Sequence, residues 1–264
     1  MSRPMPQRYR AILTGATGGM GEAMAQALLP HCDQLLLTGR HSTALQQLQQ
    51  KLDPQRVRIA ALDLASAQAP ATLATLGLKM GGANLVIHNA GVSNFCAVEK
   101  QSADDIEQLL RINLLAPMLC TQALLPQLKA QPAACVVNVG SIFGYIGFPG
   151  NTAYCASKFG LRGYTQALRR ELSDSTVIVK YFAPRATRTA LNSNRVVALN
   201  QRLGNKEDLP AHVAAQLLEF LGHDGFEKKL GWPERFFTVL NQVLPGIPDK
   251  AIGRQLPIIR EFLS

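Results

Sequence analysis

Cysteine is sparse in this sequence of 264 residues, and its five cysteines form no C-x-x-C pair. They are Cys32, Cys96, Cys120, Cys135 and Cys155. An odd number of widely spaced cysteines indicates neither a disulfide framework nor a zinc site. We therefore expect buried free thiols, a reducing compartment and no bound metal.

Long apolar runs and long basic runs are also absent. Without about 18 consecutive apolar residues, no membrane-spanning helix is predicted. The basic stretch MSRPMPQRYR leads into a glycine-rich segment rather than a signal-peptide core, so we expect a cytoplasmic protein. The formal net charge of +9 suits phosphate-bearing ligands, nucleic acid or an anionic membrane surface. Because the basic residues are scattered and form no known module, we expect no nucleic-acid partner.

Short apolar segments alternate with helical segments along most of the chain. The predicted strands are residues 9–14, 34–38, 57–62, 84–88, 134–139 and 177–182. Long helices are predicted over roughly 103–129, interrupted near Pro117, and over 151–172. This alternation predicts an α/β fold, a single doubly wound Rossmann-like domain with a parallel sheet.

Two features that follow the first two strands indicate a dinucleotide site. Thr14 is followed by GATGGMG (residues 15–21), whose glycines let a ligand approach the backbone and whose helix offers N–H groups to a phosphate. Gly39 and Arg40 follow the second strand, where an arginine favours the 2′-phosphate of NADP and an acidic residue would favour NAD. A surface arginine at a helix start is the alternative interpretation.

A serine, a tyrosine and a lysine after the fifth strand suit proton transfer. Tyr154 and Lys158 lie four residues apart, so a helix places both on one face. A nearby cation lowers the pKa of a tyrosine, which then exchanges a proton with a substrate oxygen that Ser141 also holds. A surface lysine beside a half-buried tyrosine is the alternative. Since these features all follow strands, we expect them to meet at one edge of the sheet.

Over about residues 9–189, the chain resembles the short-chain dehydrogenase/reductase family. The resemblance rests on TGATGGMG at the first turn, HNAG at 88–91, Asn113, Ser141 and YCASK at 154–158. It implies an oxidoreductase that interconverts a carbonyl and an alcohol with a nicotinamide cofactor. Its catalytic tetrad would be Asn113, Ser141, Tyr154 and Lys158, with Asn113 holding a water or a helix bend that serves the lysine. The residues expected to bind NADP(H) are Thr14, Gly15, Thr17, Gly18, Gly19, Met20, Gly21, Gly39, Arg40, Asp63, Leu64, Asn89, Ala90, Gly91, Tyr154, Lys158, Pro184, Thr187 and Thr189.

The segment after the sixth strand departs from the family pattern. Pro184 and Thr189 fit the pattern, but Arg185 replaces the usual glycine. Three interpretations stay open for Arg185: contact with the cofactor diphosphate, contact with an anionic substrate, or a plain solvent-facing side chain.

Apolar segments flank the predicted site. Residues 142–149 (IFGYIGFP) are nearly all apolar, and a lid is predicted after Thr189 from Leu191, Val196, Val197 and Leu199. They suit an apolar carbonyl or alcohol, such as a fatty or sterol-like molecule, which would place the enzyme in lipid metabolism. Closure of the core or of a subunit contact is the alternative use of these residues. A reductase of carrier-bound 3-oxoacyl thioesters and a non-catalytic NADP(H)-sensing protein also remain open.

The chain continues beyond Gly231 as a C-terminal extension. We predict a Rossmann-type catalytic domain over residues 1–231 and two amphipathic helices, broken between Pro245 and Pro248, over residues 232–264. Their apolar stripes pack on the domain or a partner subunit, or they border the substrate entrance and lie peripherally on the inner face of an anionic membrane. Helices around the tetrad pair subunits in many relatives, so we expect a homodimer or homotetramer.

Overall fold

The structure is a computed structural model, and it describes residues 4–263. Residues 1–3 and 264, at the ends of the two predicted domain ranges, lie outside the described part. The boundary between residues 231 and 232 stays a prediction.

Strands of the described chain form one parallel sheet in the order β3-β2-β1-β4-β5-β6-β7. The strands are β1 (Tyr9–Thr14), β2 (Cys32–Gly39), β3 (Val57–Ala61), β4 (Leu85–His88), β5 (Ala134–Val139), β6 (Val177–Ala183) and β7 (Glu227–Lys229). The predicted fold and all six predicted strands are confirmed within a few residues. The seventh strand was not predicted because its sequence, EKK, has no apolar residue; charged residues are common on such an edge strand.

Helices cover both faces of the sheet. They are α1 (Gly19–Leu28), α2 (Ser42–Leu52), α3 (Ala69–Lys79), α4 (Ala103–Leu110), α5 (Ala116–Lys129), α6 (Thr152–Glu171), α7 (Asn194–Leu203), α8 (Pro210–Leu221), α9 (Glu234–Val243) and α10 (Gly246–Glu261). Side chains alternate along a strand, so Leu35 and Leu37 of β2 pack toward α1, α2 and α8, whereas Leu36 packs toward α3, α5 and α6. Two apolar layers thus enclose the sheet, and its carboxyl edge is left for the site.

A π-helical turn joins α4 to α5 at Arg111–Leu115. The predicted interruption near Pro117 is this turn: proline has no N–H for the carbonyl of Asn113, four residues earlier, so the regular hydrogen-bond pattern breaks there. The whole stretch Ala103–Lys129 is long and apolar enough, by length and composition, to cross a membrane. By this test the expectation that no helix could span a membrane is not met. However, Cys120, Leu124 and Leu128 of this stretch pack in the core against the sheet. We therefore treat the stretch as a core helix.

The C-terminal extension is helical, as predicted. α9 ends at Val243 and α10 begins at Gly246, so the break falls at Leu244 and Pro245, while Pro248 lies in the first turn of α10. All five cysteines are free; four are buried as expected, whereas Cys96 is only half-buried.

Candidate active site

Two adjoining cavities lie at the carboxyl edge of the sheet. The first, here called the glycine cleft, has a volume of about 200 Å³ and lies where the loops after β1, β2 and β4 converge. The second, the apolar cleft, has a volume of about 630 Å³ and lies beyond β5 and β6. Strand order reverses between β1 and β4, and ligands of open α/β sheets bind at such a point.

The glycine cleft is built from closely packed backbone. Gly15 has φ +66, and an added Cβ would lie 2.6 Å from the Cα of Ala90, so only glycine fits there. The Thr14 hydroxyl accepts hydrogen bonds from the backbone N–H groups of Asn89 (3.0 Å) and Ala90 (3.1 Å). The Asn89 amide in turn donates to the carbonyls of Thr14 and Gly15, each at 3.1 Å. These bonds fix the loops after β1 and β4 against each other.

The groups exposed in this cleft fit a dinucleotide. α1 starts after Gly18 with no side chain capping its first N–H groups, which suits a phosphate. The Oδ1 atom of Asn89 is buried without a hydrogen-bond partner, so it is available to a ribose hydroxyl. Arg40 is exposed at the cleft, beside Gly39 and across from Asp63.

Ser141 and Tyr154 line the apolar cleft, and Lys158 lies next to Tyr154. Ser141 follows β5, while Tyr154 and Lys158 project from α6, and the Ser141 hydroxyl hydrogen-bonds the Tyr154 phenol. Lys158 Nζ lies 5.7 Å from the centroid of the Tyr154 ring and donates to the carbonyl of Val139 at 3.0 Å. Lys158 therefore lies over the Tyr154 ring, with its ammonium held by the Val139 carbonyl.

This geometry corrects the expected acidity of Tyr154. Burial raises its pKa to about 12, and the opposing hydrogen bond from Ser141 is the weaker effect. Burial also lowers the pKa of Lys158 to about 8. The net shift is therefore opposite to the expected one, because desolvation outweighs every effect that lowers the tyrosine pKa, while the stabilisation of the phenolate by Lys158 stays a prediction. Tyr154 is thus protonated at neutral pH.

Asn113 is fully buried in the π turn and organises the loop after β4. Its Oδ1 accepts from the Val92 N–H at 2.8 Å, and its Nδ2 donates to the Val92 carbonyl at 2.9 Å and to Ser157 Oγ at 3.2 Å. A Cβ added to Gly91 would lie 3.3 Å from Asn113 Oδ1 and 3.8 Å from Lys158 Nζ. Asn113 therefore supports the lysine by holding the backbone beside it.

The structure brings nearly all predicted residues to the two clefts. The glycine cleft is lined by Gly15, Thr17, Gly18, Gly19, Met20, Gly39, Arg40, Asp63, Leu64, Asn89, Ala90, Gly91 and Thr189. Met20 and Thr189 also reach the apolar cleft, where they join Ser141, Tyr154, Pro184 and Thr187. Thr14, Gly21, Asn113 and Lys158 line neither cleft. Thr14 and Asn113 instead hold neighbouring backbone, and Gly21 packs so closely on Gly15 that a Cβ would overlap its carbonyl.

Several residues that line the apolar cleft were not predicted. Ser93 and Phe95 follow β4, and their position just past the carboxyl end of a strand was a signal that sequence reasoning could have used. Trp232, Phe237 and Gln255 come from the C-terminal extension. The extension was expected to border the substrate entrance, but no local pattern marks these three residues, since their place depends on how the extension folds back.

Arg185 lines the apolar cleft, and its side chain is only 14% exposed. Its Nη2 donates to Asp208 Oδ1 at 2.8 Å, and its Nη1 lies 3.3 Å from each carboxylate oxygen of Glu234. The hydrogen bond with Asp208 is the main reason that the pKa of Arg185 is raised. Two carboxylates of the chain therefore engage the guanidinium, so the solvent-facing interpretation is wrong, while the two ligand contacts stay predictions.

Comparison with known proteins places this chain in a family. The family model for short chain dehydrogenases matches residues 10–199. Dehydrogenase/reductase SDR family member 7B of Bos taurus is 30% identical over 252 residues, which cover 89% of this chain and 78% of that protein. The chain belongs to the short-chain dehydrogenase/reductase family.

Solved structures agree on the fold. A Burkholderia phymatum short chain dehydrogenase/reductase in complex with NAD has a TM-score of 0.81 and 20% identity, covering 90% of this chain and 94% of that one. A metagenomic short-chain oxidoreductase in complex with NADP has a TM-score of 0.72 and 24% identity, covering 86% and 97%. By its family the protein is an oxidoreductase, and its fold is the one that these two neighbours show with NAD or NADP bound.

Proposed function

We propose that the protein is an NADP(H)-dependent oxidoreductase that interconverts a carbonyl and an alcohol on an apolar, lipid-like substrate. The observation that carries this proposal is the position of the Ser141–Tyr154 pair in a cleft of about 630 Å³. Phe95, Phe143 and Phe148 line that cleft, and the rings of Phe143 and Phe148 stack at 5.2 Å. Such walls favour an apolar molecule whose single polar group reaches the hydroxyls.

Tyr154 is the general acid in the direction of reduction. A bound nicotinamide supplies or accepts the hydride, which is the cofactor's own chemistry. Tyr154 is protonated at neutral pH and gives its proton to the substrate oxygen, while the Ser141 hydroxyl holds that oxygen from the other side. Lys158, protonated below its pKa of about 8, stabilises the phenolate left behind. In oxidation the same groups work in reverse.

Arg40 supports the choice of NADP(H) over NAD(H). It lies at the glycine cleft where an acidic residue would select the ribose 2′-hydroxyl. An arginine there pairs with the 2′-phosphate through two parallel N–H donors.

A panel of substrates with both cofactors tests the proposed function. Oxidation of NADPH and NADH, followed by absorbance, is measured with aldehydes and ketones of increasing chain length and with carrier-bound 3-oxoacyl thioesters. We expect faster turnover with NADPH and a kcat/KM that rises with apolar chain length. Turnover confined to thioesters would favour the carrier-dependent reductase, and NADPH binding without any turnover would favour a sensor.

We also propose that subunits pair through the outer faces of α5 and α6, in a homodimer or a homotetramer. Leu119 of α5 and Phe159 of α6 are large exposed apolar side chains, as is Leu115 at the end of the π turn that precedes α5. Light scattering of the purified protein gives the oligomeric state, and Leu119→Ser with Phe159→Ser should shift it toward monomer. A monomeric wild type would contradict this proposal.

A further part of the proposal is peripheral contact with an anionic membrane through α9. Trp232, Phe236, Val239, Val243, Leu244 and Ile247 form an exposed apolar surface, here called the α9 surface. Trp232 also lines the apolar cleft, so this surface is continuous with the cleft mouth. Arg235, Lys250 and Arg254 are exposed beside it, and an apolar helix face flanked by cations suits an interface of anionic lipids.

Vesicle sedimentation tests the membrane contact. At low salt the protein should sediment with phosphatidylcholine/phosphatidylserine vesicles more than with phosphatidylcholine alone, and high salt should release it. Phe236→Ser with Val239→Ser should abolish sedimentation, whereas Leu78→Ser, at an exposed site remote from the extension, should not. If those two substitutions instead split an oligomer and no vesicle binding is seen, the α9 surface contacts a second copy and the membrane proposal fails.

A further inference from the structure

The C-terminal extension forms one wall of the apolar cleft. Trp232 and Phe237 line the cleft from the start of α9, and Ile252 lines it from α10. The extension is packed into the domain rather than laid over it: Thr238 and Ile259 are both 0% exposed. The position of α9 therefore decides how wide and how long the cleft is.

Arg185 is the charged residue that joins α9 to the end of β6. Its guanidinium reaches Asp208, just before α8, and Glu234, the first residue of α9. The backbone at Gly231 packs against the aliphatic part of the Arg185 side chain. Gly231 has φ +94, and an added Cβ there would lie 2.6 Å from Arg185 Cδ. A further polar contact holds the last turn of α9, where Asn241 Nδ2 donates to the Tyr145 carbonyl at 2.9 Å.

The charges of this cluster explain why the arginine matters. The Asp208 and Glu234 side chains are only 9% and 26% exposed, so each carboxylate has lost most of its contact with water. Without the guanidinium they would face each other with no cation between them, and an unpaired buried charge is strongly destabilising. The repulsion between the two carboxylates would be reduced most simply if Glu234 moved away from β6, together with α9.

We infer that Arg185 is a positioning residue: it holds α9 against the end of β6 and so sets the length of apolar substrate that the cleft accepts. The kinetic part of this inference rests on the proposed function. The structural part, the seating of α9, does not.

Four variants and a built-in reporter test the inference. Arg185→Met keeps a long apolar side chain but removes the charge. Arg185→Lys keeps the charge but loses the bidentate hydrogen-bond donors of the guanidinium. Arg188→Met is the matched control, since the Arg188 side chain is 69% exposed and its Nε lies 3.8 Å from Glu207. A triple variant, Arg185→Met with Asp208→Asn and Glu234→Gln, removes all three charges together. Trp232, the only tryptophan in the sequence, reports the mobility of the start of α9 by fluorescence anisotropy.

Arg185→Met should lower the Trp232 anisotropy and raise KM for long-chain aldehydes on the order of tenfold, the scale of one charge-assisted hydrogen bond. Its NADPH affinity should stay near wild type, because Arg185 does not line the glycine cleft, and its KM for short aldehydes should change less than its KM for long ones. Arg185→Lys should be intermediate, the triple variant should recover most of the anisotropy, and Arg188→Met should match wild type.

Wild-type anisotropy together with a wild-type ratio of long-chain to short-chain KM in Arg185→Met would overturn the inference. If Arg185→Met does not fold, Glu234→Gln decides the question, because it weakens only the contact with α9; unchanged anisotropy there rejects the role of Arg185. If the wild type reduces no aldehyde at all, the proposed function fails, while the anisotropy measurement still tests how α9 is held.

Discussion

The glycine cleft and the C-terminal wall of the apolar cleft share one edge of the sheet but are held together differently. In the glycine cleft, backbone packs on backbone, as where a Cβ on Gly15 would meet Ala90. In the wall, contacts between side chains hold the elements together. Arg185 contacts Asp208 and Glu234, which are 23 and 49 residues away in sequence. The first region tolerates almost no added atom, whereas the second depends on a few charges that must pair.

The family model covers residues 10–199, here called the shared region, whereas the C-terminal extension lies beyond it. A site made of backbone depends on glycines at fixed spacing, and those glycines are part of the family resemblance. A wall held by pairs of side chains changes its shape when one pair is substituted. Such substitutions can therefore change which substrate is accepted without disturbing the cofactor site. We expect damage to the shared region to abolish catalysis and damage to the wall to alter selectivity.

The largest effect should come from Tyr154→Phe, in the shared region. The ring remains but the proton donor is lost, so turnover should fall roughly 10²–10⁴-fold. NADPH affinity, measured by fluorescence titration, should be nearly unchanged because the phenol is not part of the glycine cleft. Retention of substantial activity would mean that another group supplies the proton and that the role assigned to Tyr154 is wrong.

Sequence reasoning succeeded wherever a short pattern determines the structure. The strands, the glycine turn and the i, i+4 pair of Tyr154 and Lys158 all depend on neighbours close in the chain. It failed where desolvation or distant pairing decides the outcome. Burial, not the neighbouring lysine, sets the pKa of Tyr154, and the partners of Arg185 become its neighbours only when α8 and α9 pack against β6.

Acid should destabilise the shared region through His88. This side chain is buried in β4 against Thr121, at 2.9 Å, and burial lowers its pKa to about 4. Between the unfolded value of about 6.5 and the folded value, the unfolded chain binds the extra proton, so stability falls as pH drops through this window. The loss should approach about 3 kcal/mol by pH 4.

Urea unfolding at pH 7, 5 and 4 measures this effect, with His88→Gln as the variant that cannot titrate. The variant should show a flatter pH dependence than wild type, whatever its stability at pH 7. Parallel pH profiles of the two proteins would show that other groups cause the acid sensitivity.

A smaller effect should follow from Arg40→Asp, which should change the preference between NADPH and NADH without affecting the C-terminal wall of the apolar cleft. Loss of a charge-assisted contact with the 2′-phosphate costs about 1.5–3 kcal/mol, so the preference for NADPH over NADH should fall tenfold or more. Arg58→Asp, on the exposed face of β3 outside both clefts, is the control. Equal affinity of the wild type for NADPH and NADH would contradict the NADP(H) assignment before any variant is made.

The smallest expected effect is a change in stability from a substitution at Gly253, inside α10. It tests whether the C-terminal wall unfolds together with the shared region. A Cβ added there meets nothing within 4 Å, so Gly253→Ala should stabilise the helix by about 0.5–1 kcal/mol. Gly204, which ends α7, has the same open surroundings but φ +69, so Gly204→Ala should instead cost about 1–2 kcal/mol.

The measurement is the midpoint of urea unfolding, followed by far-ultraviolet circular dichroism, beside hydrogen exchange of the α10 amides. Because Ile259 of α10 is fully buried in the domain, we expect Gly253→Ala to raise the global midpoint and not merely to slow local exchange. A raised protection of α10 with an unchanged midpoint would show that the extension opens independently. The predicted boundary at residues 231 and 232 would then separate two folding units, and the substrate wall could open while the cofactor site stays folded.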